Sequence, residues 1–264
     1  MRVVIPRAVC ASIMLAIATS SADAQGNYEI QVYGAPTVAP RTTMFELHSN
    51  FTFEGSKGIG ADGTFGTNHA LHETLEITQG LTGWSEIGFY YFTSIQRGTG
   101  TNWVGSHLRP RVRVPDSWKW PVGVSLSTEF GYQRAEFSAD TWTWEIRPII
   151  DKTMGAWYVA LNPALSRTWK GPGTSRGVEF EPNVKTGFDF TKHVNAGIEY
   201  YGAMGKLGDF DPAKAQEHMF FGAVDLDVSP DWEINFGMGV GVTAPTDHLL
   251  FKLILGRRVS WGKR

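Results

Sequence analysis

Cysteine is nearly missing from this chain: one residue, Cys10, in 264. Disulfide scaffolds, thiolate catalysis and cysteine-ligated zinc are thereby excluded from everything beyond the first few residues. Long apolar runs are missing too. After residue 25 none approaches the roughly 20 residues that a membrane-spanning helix requires. Charge is sparse, with 19% Asp, Glu, Lys and Arg against about 25% in ordinary domains. The formal net charge of −2 lacks the basic footprint of a nucleic-acid binder. Aromatic residues, by contrast, make up 13%, which is too much burial capacity for a disordered chain.

Residues 1–24 carry Arg2 and Arg7, an apolar stretch from Ala8 to Ala18, and Ala22-Asp23-Ala24 before Gln25. A basic head, a short greasy middle and a small-x-small exit are the three parts of a cleavable secretory signal. Cys10 lies inside it without a lipoprotein box, so no lipid anchor is expected. Residues 25–42 follow as an arm in which Tyr28, Ile30 and Val32 alternate before Pro36 and Pro40 interrupt. The arm could rest in the periplasm or enter a lumen as a plug.

From residue 43 to 264 the pattern has period two, the signature of strands with two unlike faces. Leu108, Pro110, Val112 and Val114 alternate with His107, Arg109, Arg111 and Arg113. Trp232, Ile234, Phe236, Met238, Val240 and Val242 alternate with Glu233, Asn235 and the glycines 237, 239 and 241. Twelve such segments begin near residues 44, 68, 84, 103, 121, 141, 156, 177, 194, 217, 232 and 248. Most exceed the about 5–6 residues of a soluble strand and match the about 9–11 of a strand tilted across a bilayer.

Alternation alone fits a soluble sandwich as well as a membrane barrel turned inside out. Three features favour the barrel. Long polar connectors alternate with tight turns, as outer-membrane barrels alternate outer loops and periplasmic turns. The ten tryptophans avoid strand centres, as expected of indoles sorted to two headgroup belts. Gly256, Val259 and Trp261 close the last segment in a Gly-x-x-apolar-x-aromatic pattern, similar to the C-terminal strand that engages barrel-insertion machinery. The expected fold is therefore an all-β, antiparallel, up-and-down transmembrane barrel of about twelve strands, with lipid outside. Pro110, Pro148, Pro163 and Pro182 share a polar-Pro-x-apolar frame, whose repetition predicts local bulges. Glu73 faces the greasy side of its strand unless a bulge shifts it.

Twelve strands about 4.8 Å apart, tilted near 40°, give a backbone radius of roughly 12 Å. Such a lumen passes a small solute at most. Parity assigns to its wall Arg109, Arg111, Arg113, Arg147, Lys185 and Lys252, with His48, His72 and His107. Facing them are Glu46, Glu76, Glu86, Glu129, Glu145, Glu179, Glu181, Glu199, Asp225, Asp227 and Glu233. The arginines of the fourth strand stand nearly half the ring from Asp225 and Asp227, so the expected device is a transverse field that orients passing solutes. The alternative is a closed lumen in which these charges pair.

Catalysis and cofactors are not expected. His48 and Ser49 are neighbours on a strand and point to opposite faces, which argues against a lipid-hydrolase pair. His69 and His72 diverge, and the seven histidines show no metal spacing. The glycines at 237, 239 and 241 are followed by no helix that could hold a phosphate.

The segments Leu81–Gly88, Phe188–Tyr201, Val228–Val242 and Leu253–Trp261 resemble a broad group of bacterial outer-membrane transporters, those of the MetA-pathway phenol-degradation type. The resemblance implies a channel or uptake protein in the outer membrane of a Gram-negative cell. Its partners would be membrane lipid and a small solute; it specifies no substrate and no ligand residue.

Overall fold

The computed structural model describes residues 24–262; the expected signal, 1–24, lies outside the described residues except for its last position. Twelve strands follow in order: β1 (Thr42–Glu54), β2 (Leu71–Thr82), β3 (Ser85–Gln96), β4 (Gly100–Arg113), β5 (Gly123–Gln133) and β6 (Trp142–Met154). The second half comprises β7 (Trp157–Lys170), β8 (Val178–Thr191), β9 (Val194–Ala203), β10 (Glu217–Leu226), β11 (Trp232–Gly241) and β12 (Leu249–Ser260). Each pairs antiparallel with its sequence neighbours, and β1 pairs β12 from Thr42↔Ser260 to Glu54↔Leu249, closing the ring. Closure removes every open edge, which an isolated sheet in hydrocarbon could not tolerate.

The alternation sorts the faces as the period-two pattern requires. Along β1, Leu47 is 43% exposed while its neighbours Glu46 and His48 are 7% and 0% exposed. Phe89, Leu108, Phe130, Leu161, Phe220 and Leu255 continue this exposed apolar surface around the ring. So much contiguous grease outside a polar interior is a surface for lipid, not water.

The two ends differ. Residues 83–84, 155–156, 192–193 and 227–231 make short turns at one end, joined there by 114–122 and by the start of β1 and end of β12. The other end carries 55–70, 134–141, 171–177, 204–216 and 242–248, with one short connector at 97–99. Trp84, Trp157 and Trp232 stand at the short-turn end and Trp103, Trp142 and Trp169 at the long-loop end. Both aromatic belts are thus in place.

The proline expectation requires correction. The β4–β5 ladder keeps one register from Leu108↔Phe130 to Arg111↔Ser127, and the β6–β7 ladder from Ile146↔Leu165 to Ile150↔Leu161. Pro163 lies directly opposite Pro182. The pairing opens where proline lacks a donor, but no residue is inserted. Register shifts occur elsewhere, toward strand ends, for example between Phe92 and Thr93 and between Gly80 and Thr82. Glu73 is not rescued by a bulge either. It faces outward near the long-loop end of β2 and accepts a 2.9 Å hydrogen bond from Ser49 Oγ.

If this exterior meets hydrocarbon, Leu47→Arg at the middle of β1 should cost about 2–4 kcal/mol of folding stability in bilayers. Denaturant titration in lipid vesicles measures it, and a cost near zero would contradict the assigned outer face.

Candidate functional site

The lumen is not empty. Residues 27–39 run through it from the long-loop end to the short-turn end. Asn27 donates to Asp247 Oδ2 (2.8 Å) in the β11–β12 loop, and Asn50 donates to the Asn27 carbonyl (3.0 Å). At the far end Val38 N–H reaches Glu86 Oε2 (2.6 Å), after which Thr42 N–H bonds the Ala39 carbonyl and β1 begins.

An extended chain in a confined interior must find partners for its backbone donors and acceptors. Here the wall supplies them with side chains. Thr74 Oγ1 donates to the Tyr28 carbonyl (2.7 Å) and Lys252 Nζ to the Ile30 carbonyl (3.2 Å). Asn162, fully buried, grips Tyr33 twice: its Oδ1 accepts from the Tyr33 N–H (2.7 Å) and its Nδ2 donates to the Tyr33 carbonyl (2.9 Å). Arg111 Nη2 donates to the carbonyls of Gly34 and Pro36, each at 2.5 Å. Six wall residues, Asn50, Thr74, Glu86, Arg111, Asn162 and Lys252, thus act as a discontinuous neighbouring strand.

Arm side chains fill what remains. Tyr28 packs against Phe92 and edge-on to His72, with ring centroids 5.5 and 4.7 Å apart. Ile30 forms a buried cluster with Phe221 and Leu250, and the Phe221 ring lies where a Cβ at Gly239 would fall. Gly239 of β11 therefore makes room for an aromatic ring. Tyr33 sits among three guanidiniums, Arg109, Arg147 and Arg111, at 4.8, 5.2 and 5.8 Å from its centroid. Its hydroxyl donates to Glu29 Oε1 (2.5 Å) and lies 3.1 Å from the Tyr90 hydroxyl.

The wall charges predicted from parity gather into three groups. Arg109 pairs with Glu76 (2.6 Å) and Glu86 (3.3 Å), Arg147 pairs with Glu145 (2.7 Å), and His107 pairs with Glu129, all buried against the arm. Opposite them Lys185 holds Asp225 (2.7 Å) and Glu199 (3.3 Å), and Lys252 also pairs with Glu199. At the long-loop mouth Arg176 bridges Glu179 (2.6 Å) and Asp211 (2.5 Å), while Ser166 donates to Glu181. Arg176 lies in a loop, where desolvation alone would lower its pKa; the two carboxylates outweigh that and raise it. Arg113 and Asp227 do not join these groups. Arg113 pairs with Asp116 in the 114–122 turn, and the Asp227 backbone bonds His193 at the same end. The arm runs between the opposite walls, yet one cavity beside it is still lined by Arg109 and Arg111 on one side and by Asp225 and Asp227 on the other.

Two cavities flank the arm. One of about 660 Å³ opens toward the short turns and reaches Lys252, Glu199, Lys185, Asp225 and Tyr33. The other, about 430 Å³, opens among the long loops and reaches Ile30, Glu29, Tyr201, Glu181 and Glu217. Between them stands a thin layer: Lys252 Nζ contacts Glu199, the Ile30 carbonyl and, at 3.4 Å, the Tyr201 hydroxyl.

Tyr33, Glu29 and Asn162 were not identifiable as site residues from sequence. The alternation of Tyr28, Ile30 and Val32 signals an arm with one face to bury, but names no wall.

No family model matches the chain, and no curated protein matches it. Among solved structures, the COG4313 outer membrane channel from Pseudomonas putida F1 matches with a TM-score of 0.60 at 10% identity, over 88% of this chain and 100% of that one. The KdgM porin matches with a TM-score of 0.51 at 8% identity, over 83% and 99%. At such identities the likeness concerns the fold: this chain is a twelve-stranded transmembrane β-barrel.

Asn162→Leu keeps the side chain's approximate volume and removes both bonds to Tyr33. At about 1 kcal/mol for each net bond, with a further penalty for the orphaned peptide groups, it should loosen the arm by roughly 2–4 kcal/mol. Hydrogen exchange of the peptide covering residues 28–38 should rise accordingly, while the strands stay protected. Unchanged exchange would show that the arm is held by other means.

Proposed function

We propose that this chain is a porin-like channel of a Gram-negative outer membrane that passes small solutes, with the lumenal arm as its constriction. The observation that carries this reading is the pair of cavities opening to the two ends of one barrel, separated only by the layer around Ile30, Lys252, Glu199 and Tyr201. A structural barrel has no need of two charged vestibules. On this reading the long loops lie outside the cell, the short turns in the periplasm, and the C-terminal strand is the segment handled by the insertion machinery. The fold shared with channels and porins supports it. The finer assignment, a transporter of the MetA-pathway phenol-degradation type, rests on the segment resemblance alone.

A lipid hydrolase is disfavoured by geometry. His48 faces the lumen, whereas Ser49 faces outward and is bonded to Glu73, so the two cannot act together. The closed-lumen reading draws support from the arm itself, and conductance separates it from the channel. Planar-bilayer recordings should show small currents for the full mature chain and several-fold larger ones after deletion of residues 25–38. Silence from both proteins would overturn the channel; equal currents would overturn the arm as the constriction.

Removing one partner of a buried pair leaves the other charge stranded, at a cost of about 3–5 kcal/mol. Lys252→Ala removes one of the two lysines that hold Glu199, leaving Lys185, and frees the Ile30 carbonyl; it should therefore lower stability by less than that full cost and raise single-channel conductance. Thermal melting and bilayer recording check the two effects, and a stable variant with unchanged conductance would count against the layer as a barrier.

A further inference from the structure

Glu46 and His48 stand two residues apart on β1 and so share its inner face, and Glu76 on β2 lies directly across the ladder from Glu46. One donor atom from each of the three falls within 4.8 Å of the other two. All three side chains are buried: Glu46 is 7% exposed, His48 and Glu76 0%. We propose that Glu46, His48 and Glu76 form a binding site for a divalent transition-metal ion of the zinc class on the inner wall of the barrel. This inference does not depend on whether the barrel conducts.

The hydrogen-bond accounting points the same way. Both ring nitrogens of His48 and Oε2 of Glu76 lack a hydrogen-bond partner, although a neutral imidazole always carries one N–H to donate and buried polar groups are normally satisfied. His48 Nε2 and Glu76 Oε2 approach each other at 3.5 Å, longer than a normal hydrogen bond. Two ligands bound at 2.0–2.1 Å on a tetrahedral ion are separated by roughly 3.4 Å. Two atoms so spaced could seat a cation between them. An ion there would engage Nε2 and Oε2 at once.

The other oxygen of Glu76 is already engaged. Oε1 accepts from Arg109 Nη2 (2.6 Å) and Thr78 Oγ1 (2.7 Å), which fixes the carboxylate with Oε2 turned to His48. Such outer partners are what orient metal ligands. Glu46 contributes a second carboxylate with no ion pair of its own, since Arg109 pairs with Glu76 and Glu86, and Arg258 with Glu233; binding a cation would draw it into its charged form with release of a proton. Glu46 also borders the larger cavity, which gives the ion a path and water a fourth coordination position. One imidazole with two carboxylates suits zinc and its neighbours; calcium and magnesium prefer six or more oxygens.

The test uses folded barrel in detergent, its folding verified by the mobility difference between heated and unheated samples, stripped with chelator. Equilibrated with Zn²⁺ and desalted, it should retain one ion per chain, and Co²⁺ in its place should give the intense visible bands of tetrahedral coordination. His48→Ala and, as a gentler change, Glu46→Gln should each weaken binding at least ten-fold, whereas His72→Ala should leave it intact. Absence of retained metal and of cobalt bands in the unaltered protein would overturn the site. Undiminished binding in folded Glu46→Gln would overturn it equally, whether or not His48→Ala folds.

Discussion

The interior of this barrel is organised around one requirement: the backbone of residues 27–39 must be hydrogen-bonded where no neighbouring strand is available. The solution is a set of side chains projecting from β1, β2, β3, β4, β7 and β12, each reaching one or two peptide groups of the arm. A peptide group left buried and unpaired there would cost about 1–3 kcal/mol. Because the satisfied set spans the ring, it fixes the arm's depth and its rotation together. Asn162 is the clearest instance, a primary amide presenting one acceptor and one donor to a single residue, as a strand would.

The charges follow from that arrangement. Where the arm packs against the wall, arginines, lysines and acids are buried and pair locally: Arg109 with Glu76 and Glu86, Arg147 with Glu145, Lys252 with Glu199. Buried pairs add little net stability compared with apolar packing, but breaking one is costly. They therefore specify position rather than strength. Tyr33, ringed by three guanidiniums and hydrogen-bonded at both backbone groups, is where the hydrogen bonds and the charges meet.

Much of the fold was legible in the sequence because strand parity is a local property. The alternation of Arg109, Arg111 and Arg113 with Leu108, Pro110 and Val112 fixes which face of β4 looks inward, and all twelve strands begin within three residues of the expected positions. The proline ladders were misread because a missing donor and an inserted residue leave the same local trace. The arm's course was not legible: Tyr28, Ile30 and Val32 would alternate identically in the lumen or beneath the membrane. Nor was the pairing of Lys252 with Glu199 or its bond to the Ile30 carbonyl, since these contacts join segments distant in sequence and depend on what fills the space between them.

That the arm traverses the whole lumen, bringing residue 26 to the outer mouth, can be tested in living cells. The chain beyond its expected signal has no cysteine, and a side chain at Gly26 meets open space, so Gly26→Cys supplies a single reporter without disturbing packing. A membrane-impermeant maleimide added to intact bacteria should label it directly. Labelling that appears only after the outer membrane is permeabilised would place the arm in the periplasm and contradict the account.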